Sequence, residues 1–147
     1  APNSTPGKLA EQVHMILADS SVWIDFFRGA SGAPSAALRQ CLGDPGMDVG
    51  MADLVLFEVM RGCREGTAMR EAGRLMAELP QVEIGGAEHA LLAAERYRRL
   101  RQTGRTVHSP IDVLLASYCM THKHTLLHRD ADFDALKSLG ELHTWPR

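Results

Sequence analysis

Met15-Ile16-Leu17-Ala18-Asp19-Ser20-Ser21-Val22-Trp23-Ile24-Asp25 is the stretch on which the fold turns. Met15 to Ala18 is a short apolar run without polar alternation, the pattern of a strand covered on both faces. The amphipathic stretch Val22 to Arg28 follows, stopped by Gly29, and predicts a helix. Asp19 sits at the junction. A strand that leads through an acid into a helix is the opening of an α/β unit.

The same alternation continues outward. Helical patterns run over Pro34–Leu42, Ala52–Cys63, Thr67–Leu79, Ala87–Gln102 and from Ser109-Pro110 to about His122. A short helix is expected over Asp130–Leu136. Brief strands are expected near Asp48 and Val49, over Gln81–Ile84 and Thr125–His128, and last over Glu141–Thr144. Glycine or proline punctuates the boundaries at Gly29, Gly43, Pro80 and Gly104. Strands alternating with helices predict an α/β fold, an α/β/α sandwich with a short, mostly parallel central sheet. No repeat, low-complexity tract or linker interrupts it. Residues 1–14 are polar and hold Pro2, Pro6 and Gly7, and the pair His14-Met15, where they meet the domain, looks like a cloning junction. They read as a leader or an artificial extension, with a single domain over 15–147.

Composition removes several functions. The chain has 147 residues, 45% of them hydrophobic, enough for one well-filled core. Its 16 Lys and Arg against 18 Asp and Glu give a formal net charge of −2, so bulk positive charge does not drive nucleic-acid binding. No apolar run reaches the roughly 18 residues of a membrane span, and the start lacks the pattern of a secretory signal. Cys41, Cys63 and Cys119 are odd in number and far apart, which reads as buried free thiols in a reducing cytoplasm. His122, His124 and His128 offer a zinc reading. The competing reading places His122, Lys123 and His124 at a helix end, where cations suit the dipole.

The chemistry lies in carboxylates at unexpected places. Asp19 follows the first strand. Glu58 lies inside Leu54-Val55-Leu56-Phe57-Glu58-Val59-Met60, a helix whose other residues are all apolar and which therefore reads as buried. Asp112 opens the helix after Ser109, and Asp130, Asp132 and Asp134 follow the Thr125 strand. Asp19, Asp112 and Asp130 each have a plainer role as helix caps, Asp112 in a capping box with Ser109. Glu58 has no cap role; its alternative is pairing with an arginine such as Arg61 or Arg129. In an open parallel sheet all strand ends share one edge, so four acids can meet there. Crowded carboxylates repel, and a hard divalent cation, Mg²⁺ or Mn²⁺, resolves that repulsion. Such cations act on phosphodiesters by activating water and neutralising the scissile phosphate.

These segments resemble the PIN-domain ribonucleases, specifically VapC-type toxins of type II toxin–antitoxin systems. The resemblance rests on the opening stretch from Met15 to Asp25, on Asp53 to Gly62 around Glu58, on Ser109 to Ala116 around Asp112, and on Leu126-Leu127-His128-Arg129-Asp130-Ala131-Asp132-Phe133-Asp134. All four occur in the family's order. The resemblance implies a metal-dependent endoribonuclease that cuts tRNA or rRNA by hydrolysis, leaving a 3′-hydroxyl and a 5′-phosphate. It further implies a bacterial or archaeal cytoplasmic setting, a cognate VapB-type antitoxin as inhibitor, and a homodimer. By position Asp19, Glu58, Asp112 and Asp130 are the catalytic acids. Asp19, Asp112, Asp130 and, more weakly, Asp132 are the metal ligands, and Glu58 orients or deprotonates water. Ser20 stands where the family commonly has Thr, and its hydroxyl is expected to hold a carboxylate or a phosphate.

Arg28, Arg61 and Arg129 are candidate RNA contacts near the scissile phosphate, or else salt-bridge partners of the acids. Arg96, Arg98, Arg99, Arg101 and Arg105, with Tyr97 among them, form the densest basic run and read either as a phosphate surface or as a solvated helix face. Trp23, Phe26 and Phe27 read as core, or in part as an antitoxin groove. Two other functions compete. A haloacid-dehalogenase-like phosphatase also uses an Asp after the first strand, but needs a second one two residues on, where this chain has Ser21. A non-catalytic interaction module would leave Glu58 without purpose.

Overall fold

β1 (Ile16–Ala18) is the middle strand of the sheet. Its three residues are all buried. Alternate side chains of a strand face opposite ways, so burial of both Ile16 and Leu17 means that both sides of the sheet are covered. The structure is a computed structural model that describes residues 13–107, 109–129, 132–138, 140 and 142–145, without the side chain of Asp132. Asp130 therefore lies outside the described residues.

The order along the chain is β1, α1 (Ser20–Phe27), α2 (Ala33–Leu42), β2 (Val49–Ala52), α3 (Asp53–Arg61), α4 (Thr67–Glu78), β3 (Gln81–Val82), α5 (Ala87–Gln102), α6 (Pro110–His122), β4 (Thr125–Leu127), α7 (Asp132–Lys137) and β5 (His143–Trp145). Among the described residues five strands form one sheet in the order β3-β2-β1-β4-β5, and every neighbouring pair is parallel. The expected mostly parallel sheet is thus wholly parallel. The chain builds outward from β1 to β3 on one side, then returns to β4 and β5 on the other. Strand order reverses between β1 and β4, which is where open α/β sheets form their crevice.

Local signals explain most boundaries. Asp19 accepts a hydrogen bond from the Val22 N–H and starts α1 at Ser20, two residues before the apolar stretch suggested. Pro110 at the first turn starts α6. α3 begins at once after β2, so Ala52, which the sequence reading gave to the helix start, is the last residue of the strand. At Gly50 of β2 a Cβ would come within 2.8 Å of Met15 Sδ and 2.9 Å of Leu17 Cδ2, so only glycine lets β2 lie this close to β1. α2 lies against the sheet: Ala37, Gln40 and Cys41 share a cavity with Ile16, Thr125 and Leu127. The core joins Leu17, Trp23, Met51, Leu115, Leu126 and Phe133.

The picture of α3 as buried all round is corrected. Its buried residues are Val55 and Val59, while Phe57 is 59% exposed and Glu58 is half-buried. An apolar letter pattern records composition, whereas burial is set by which face meets a neighbour, here α1 and α4. Of the three free cysteines only Cys119 is fully buried, and burial pushes its thiol pKa up; Cys41 and Cys63 are half-buried.

Candidate metal-dependent nuclease site

Asp19 is the best-defined residue of the carboxyl edge of the sheet. Its backbone continues the ladder beyond β1, the N–H donating to Leu127 O of β4 at 3.0 Å. Its side chain is 3% exposed. One carboxylate oxygen, Oδ1, accepts from the Val22 N–H at 2.9 Å and from the Ser21 hydroxyl at 2.6 Å. The cap role is therefore observed, and it leaves Asp19 at the carboxyl edge of the sheet. The Ser21 contact was not foreseen, since the sequence reading placed the supporting hydroxyl on Ser20. Among the described residues no hydrogen bond is made by the Ser20 hydroxyl. The available signal was a second hydroxyl two residues after the acid, within reach of its own cap. That same position is where a dehalogenase-like phosphatase needs a second Asp, and here it serves to fix the first.

Asp112 comes to the same edge by a different route. The C-terminus of α6 leads through Lys123 and His124 into the start of β4, so its N-terminus lies toward the strands' carboxyl ends. Ser109 caps the helix, accepting from the Asp112 N–H at 3.4 Å, a long bond. Asp112 is half-buried in the first turn. α1 and α6 thus direct two positive dipole ends at the edge that carries Asp19 and Asp112. Glu58 lies on α3, five residues past its start, which is about 7.5 Å along the helix axis. Among the described residues Glu58 makes no ion pair with Arg61 or Arg129. Arg61 instead lies over the Phe57 ring at 5.9 Å, and Arg129 is paired with Asp25 at 2.7 Å. Arg28 is exposed and borders a cavity of about 450 Å³ between α1, α3 and α4, with Ile24, Phe27, Val59, Met69 and Ala72.

Among the described residues no group of three or more His, Cys, Asp and Glu side chains is arranged to hold a metal ion. Asp130, and the side chain of Asp132, lie outside that description. The donors that are described at this edge, Asp19 and Asp112, are hard carboxylate oxygens, which fit Mg²⁺ or Mn²⁺ and not a soft metal.

The histidines do not form a zinc site among the described residues. His124 is fully buried, with Nδ1 accepting the Met15 N–H at 3.0 Å. Burial, then the neighbouring His122 and His14, lower its pKa from 6.5 to about 4. It is neutral at pH 7 and is not one of the cations expected at the end of α6; Lys123 takes the left-handed cap there, with φ of 59°. His128 packs on Phe133 with ring centroids 5.0 Å apart.

The basic run divides. Arg96 is held in the fold, one Nη donating to Ser117 O, Ser117 Oγ and Thr121 Oγ1, each at 2.7 Å. Arg98, Arg99, Arg101 and Arg105 are exposed. Trp23 is fully buried and stacks on Phe27, so it belongs to the core, while Phe26 and Phe27 are only partly covered.

Comparison with known proteins agrees with this architecture. The PIN domain family model matches residues 16–139. A VapC ribonuclease of Mycobacterium bovis is 30% identical over 128 residues, covering 87% of this chain and 96% of that protein, and ribonuclease VapC11 of Mycobacterium tuberculosis matches to the same extent. Among solved structures, VapBC2 from Rickettsia felis bound to promoter DNA superposes with a TM-score of 0.69 at 15% identity, covering 89% of this chain and 98% of that one. DNA-bound VapBC from Salmonella typhimurium gives 0.66 at 12%, covering 90% and 97%. At those identities the structures speak for the fold alone. With the family model spanning most of the chain and a full-length relative at 30% identity, the chain belongs to the PIN domain family, on its VapC ribonuclease side.

Proposed function

We propose that this protein is a VapC-type toxin, an endoribonuclease that hydrolyses RNA phosphodiester bonds with a bound Mg²⁺ or Mn²⁺. The observation that carries this reading is Asp19: a nearly fully buried carboxylate immediately after the strand beside the order reversal, held in one orientation by the Val22 amide and the Ser21 hydroxyl. The two VapC ribonucleases at 30% identity support the activity.

In this reading Asp19, Asp112 and Asp130 hold the cation, with Asp132 as a further ligand. The bound cation supplies an acidified water nucleophile and charge neutralisation at the phosphate. The protein's part is orientation. Ser21 fixes the Asp19 carboxylate, so the carboxylate is ordered before RNA binds. Glu58, half-buried and without an ion-pair partner among the described residues, accepts the proton of the attacking water. The two helix N-termini favour negative charge at the edge and so lower the cost of bringing a phosphate there. Ser20 directs its hydroxyl to a phosphate oxygen. Arg28 and Arg61 supply cationic contacts to the RNA backbone; Arg129 joins them only to the extent that Asp25 releases it.

The partner in this reading is a VapB-type antitoxin, as in the VapBC complexes that share the fold. The partly covered Phe27 and the cavity beside it offer an apolar groove for such a chain. The exposed side chains of Phe57 and Leu91 supply apolar surface for a homodimer. The single domain is taken to cover 15–147.

The test is cleavage of a structured RNA pool by the pure protein with Mg²⁺, Mn²⁺ or EDTA, followed by end-group analysis. Cutting only with metal, leaving 5′-phosphate and 3′-hydroxyl ends, is expected. Cutting in EDTA, or 2′,3′-cyclic phosphate ends, would mean that the RNA 2′-hydroxyl and not a metal-activated water is the nucleophile, and would sink the proposal.

A further inference from the structure

Asp25 and Arg129, 104 residues apart in sequence, are joined by an ion pair of 2.7 Å between Asp25 Oδ2 and Arg129 Nη1. Asp25 lies in α1, the helix that Asp19 caps. Arg129 follows His128, whose N–H still donates to Trp145 O of β5 at 3.0 Å. Among the described residues no backbone hydrogen bond holds Arg129 itself, so its side chain is the described tie between α1 and the chain leaving β4. The pair links α1, the helix that follows β1, to the chain just after β4, and β1 and β4 are the strands between which the sheet order reverses. One helix therefore carries the first acid at its start and grips the chain one residue before Asp130 and three before Asp132.

We infer that Asp25 is a positioning residue of the acidic site, acting by holding Arg129, the residue that precedes Asp130 in the sequence, against α1. The inference rests on the reading of this edge as a divalent-cation nuclease site. Two features favour orientation over a stabilising role. The arginine side chain is 53% exposed and the aspartate 19%, and a solvent-screened pair of this kind adds little to stability. The contact is also long-range, so it restrains two elements relative to each other and not a single helix.

The experiment measures Mn²⁺ binding by titration calorimetry, with kcat and KM for RNA cleavage, in Asp25→Ala, Arg129→Ala, the double variant and Arg129→Lys. Each single alanine variant is expected to weaken Mn²⁺ binding about tenfold and to lower kcat with little change in KM, the effect typical of losing a group behind a metal ligand. The double variant is expected to be no worse than either single one, because both remove the same contact. Arg129→Lys keeps the charge and is expected to recover most of the binding. Wild-type Mn²⁺ affinity and kcat in the single variants would overturn the inference. So would additive losses that fall on KM, which would make Arg129 an RNA contact in its own right. Asp19→Asn separates this from the underlying reading: wild-type Mn²⁺ binding by that variant would overturn the acidic site itself, whatever Asp25 does.

Discussion

Two adjacent serines have different work. Ser21 donates to Asp19 Oδ1 at 2.6 Å, whereas the hydroxyl of Ser20 has no hydrogen bond among the described residues. Ser21→Ala removes a bond to a carboxylate that is buried, so unfolding should be easier by about 1–2 kcal/mol. For a chain of this size that is a fall in Tm of about 2–8 °C by calorimetry. Ser20→Ala should leave Tm unchanged and raise KM for RNA. The sequence marked Asp19 as a helix cap, but not that Ser21 reaches its carboxylate, because which hydroxyl reaches a cap carboxylate depends on the rotation of the first helical turn. His124 gives a second expectation. Its pKa falls from 6.5 to about 4 on folding, so between those values the unfolded chain binds more protons than the native one. Stability must therefore rise with pH through that window and be lost as pH falls. The bond from the Met15 N–H requires an unprotonated Nδ1, which works in the same direction. Denaturant melts of the wild type and His124→Gln from pH 4 to 7 should show a shallower acid limb in the variant.

At the scale of elements, the strand-acid-helix opening and the capped start of α6 were legible because their signals are local: a short apolar run, a cap residue, a proline. α3 was misread for the same reason. Its stretch Leu54–Met60 is apolar except for Glu58, yet the face of Val55 and Val59 is the buried one, against α1 and α4, and Phe57 is left in solvent. The tie between Asp25 and Arg129 had no sequence signal, since nothing local links residues 104 positions apart. β2 shows how closely elements are fitted. Gly50→Ala places a Cβ against Met15 Sδ, Leu17 Cδ2 and the Pro80 carbonyl at 2.8, 2.9 and 3.4 Å. Met15 can yield, but Leu17 is fully packed, so the substitution should cost about 1–3 kcal/mol in chemical denaturation. Gly104→Ala, where a Cβ meets nothing within 4 Å but φ is +85°, should cost about 1 kcal/mol from the backbone alone.

For the molecule as a whole, the order β3-β2-β1-β4-β5 explains why Asp19 and Asp112, distant in sequence, lie toward one edge. β1 and β4 are neighbours, α1 and α6 start at their carboxyl ends, and both helices present positive dipole ends there. Expectation from sequence reached this far because a parallel sheet fixes which ends of its elements meet. It did not reach the division of the arginines, where Arg96 is spent on α6 while Arg98, Arg99, Arg101 and Arg105 remain exposed. Asp19→Asn isolates the edge from the fold, because asparagine still accepts the Val22 N–H as a helix cap while losing the charge. The decisive measurement is therefore RNA cleavage by wild type and Asp19→Asn side by side, in Mn²⁺, with circular dichroism to confirm equal folding. The expected result is cutting by the wild type and none by the variant at the same fold content. Equal cutting by both would contradict the assignment of Asp19 as the carboxylate on which the site is built.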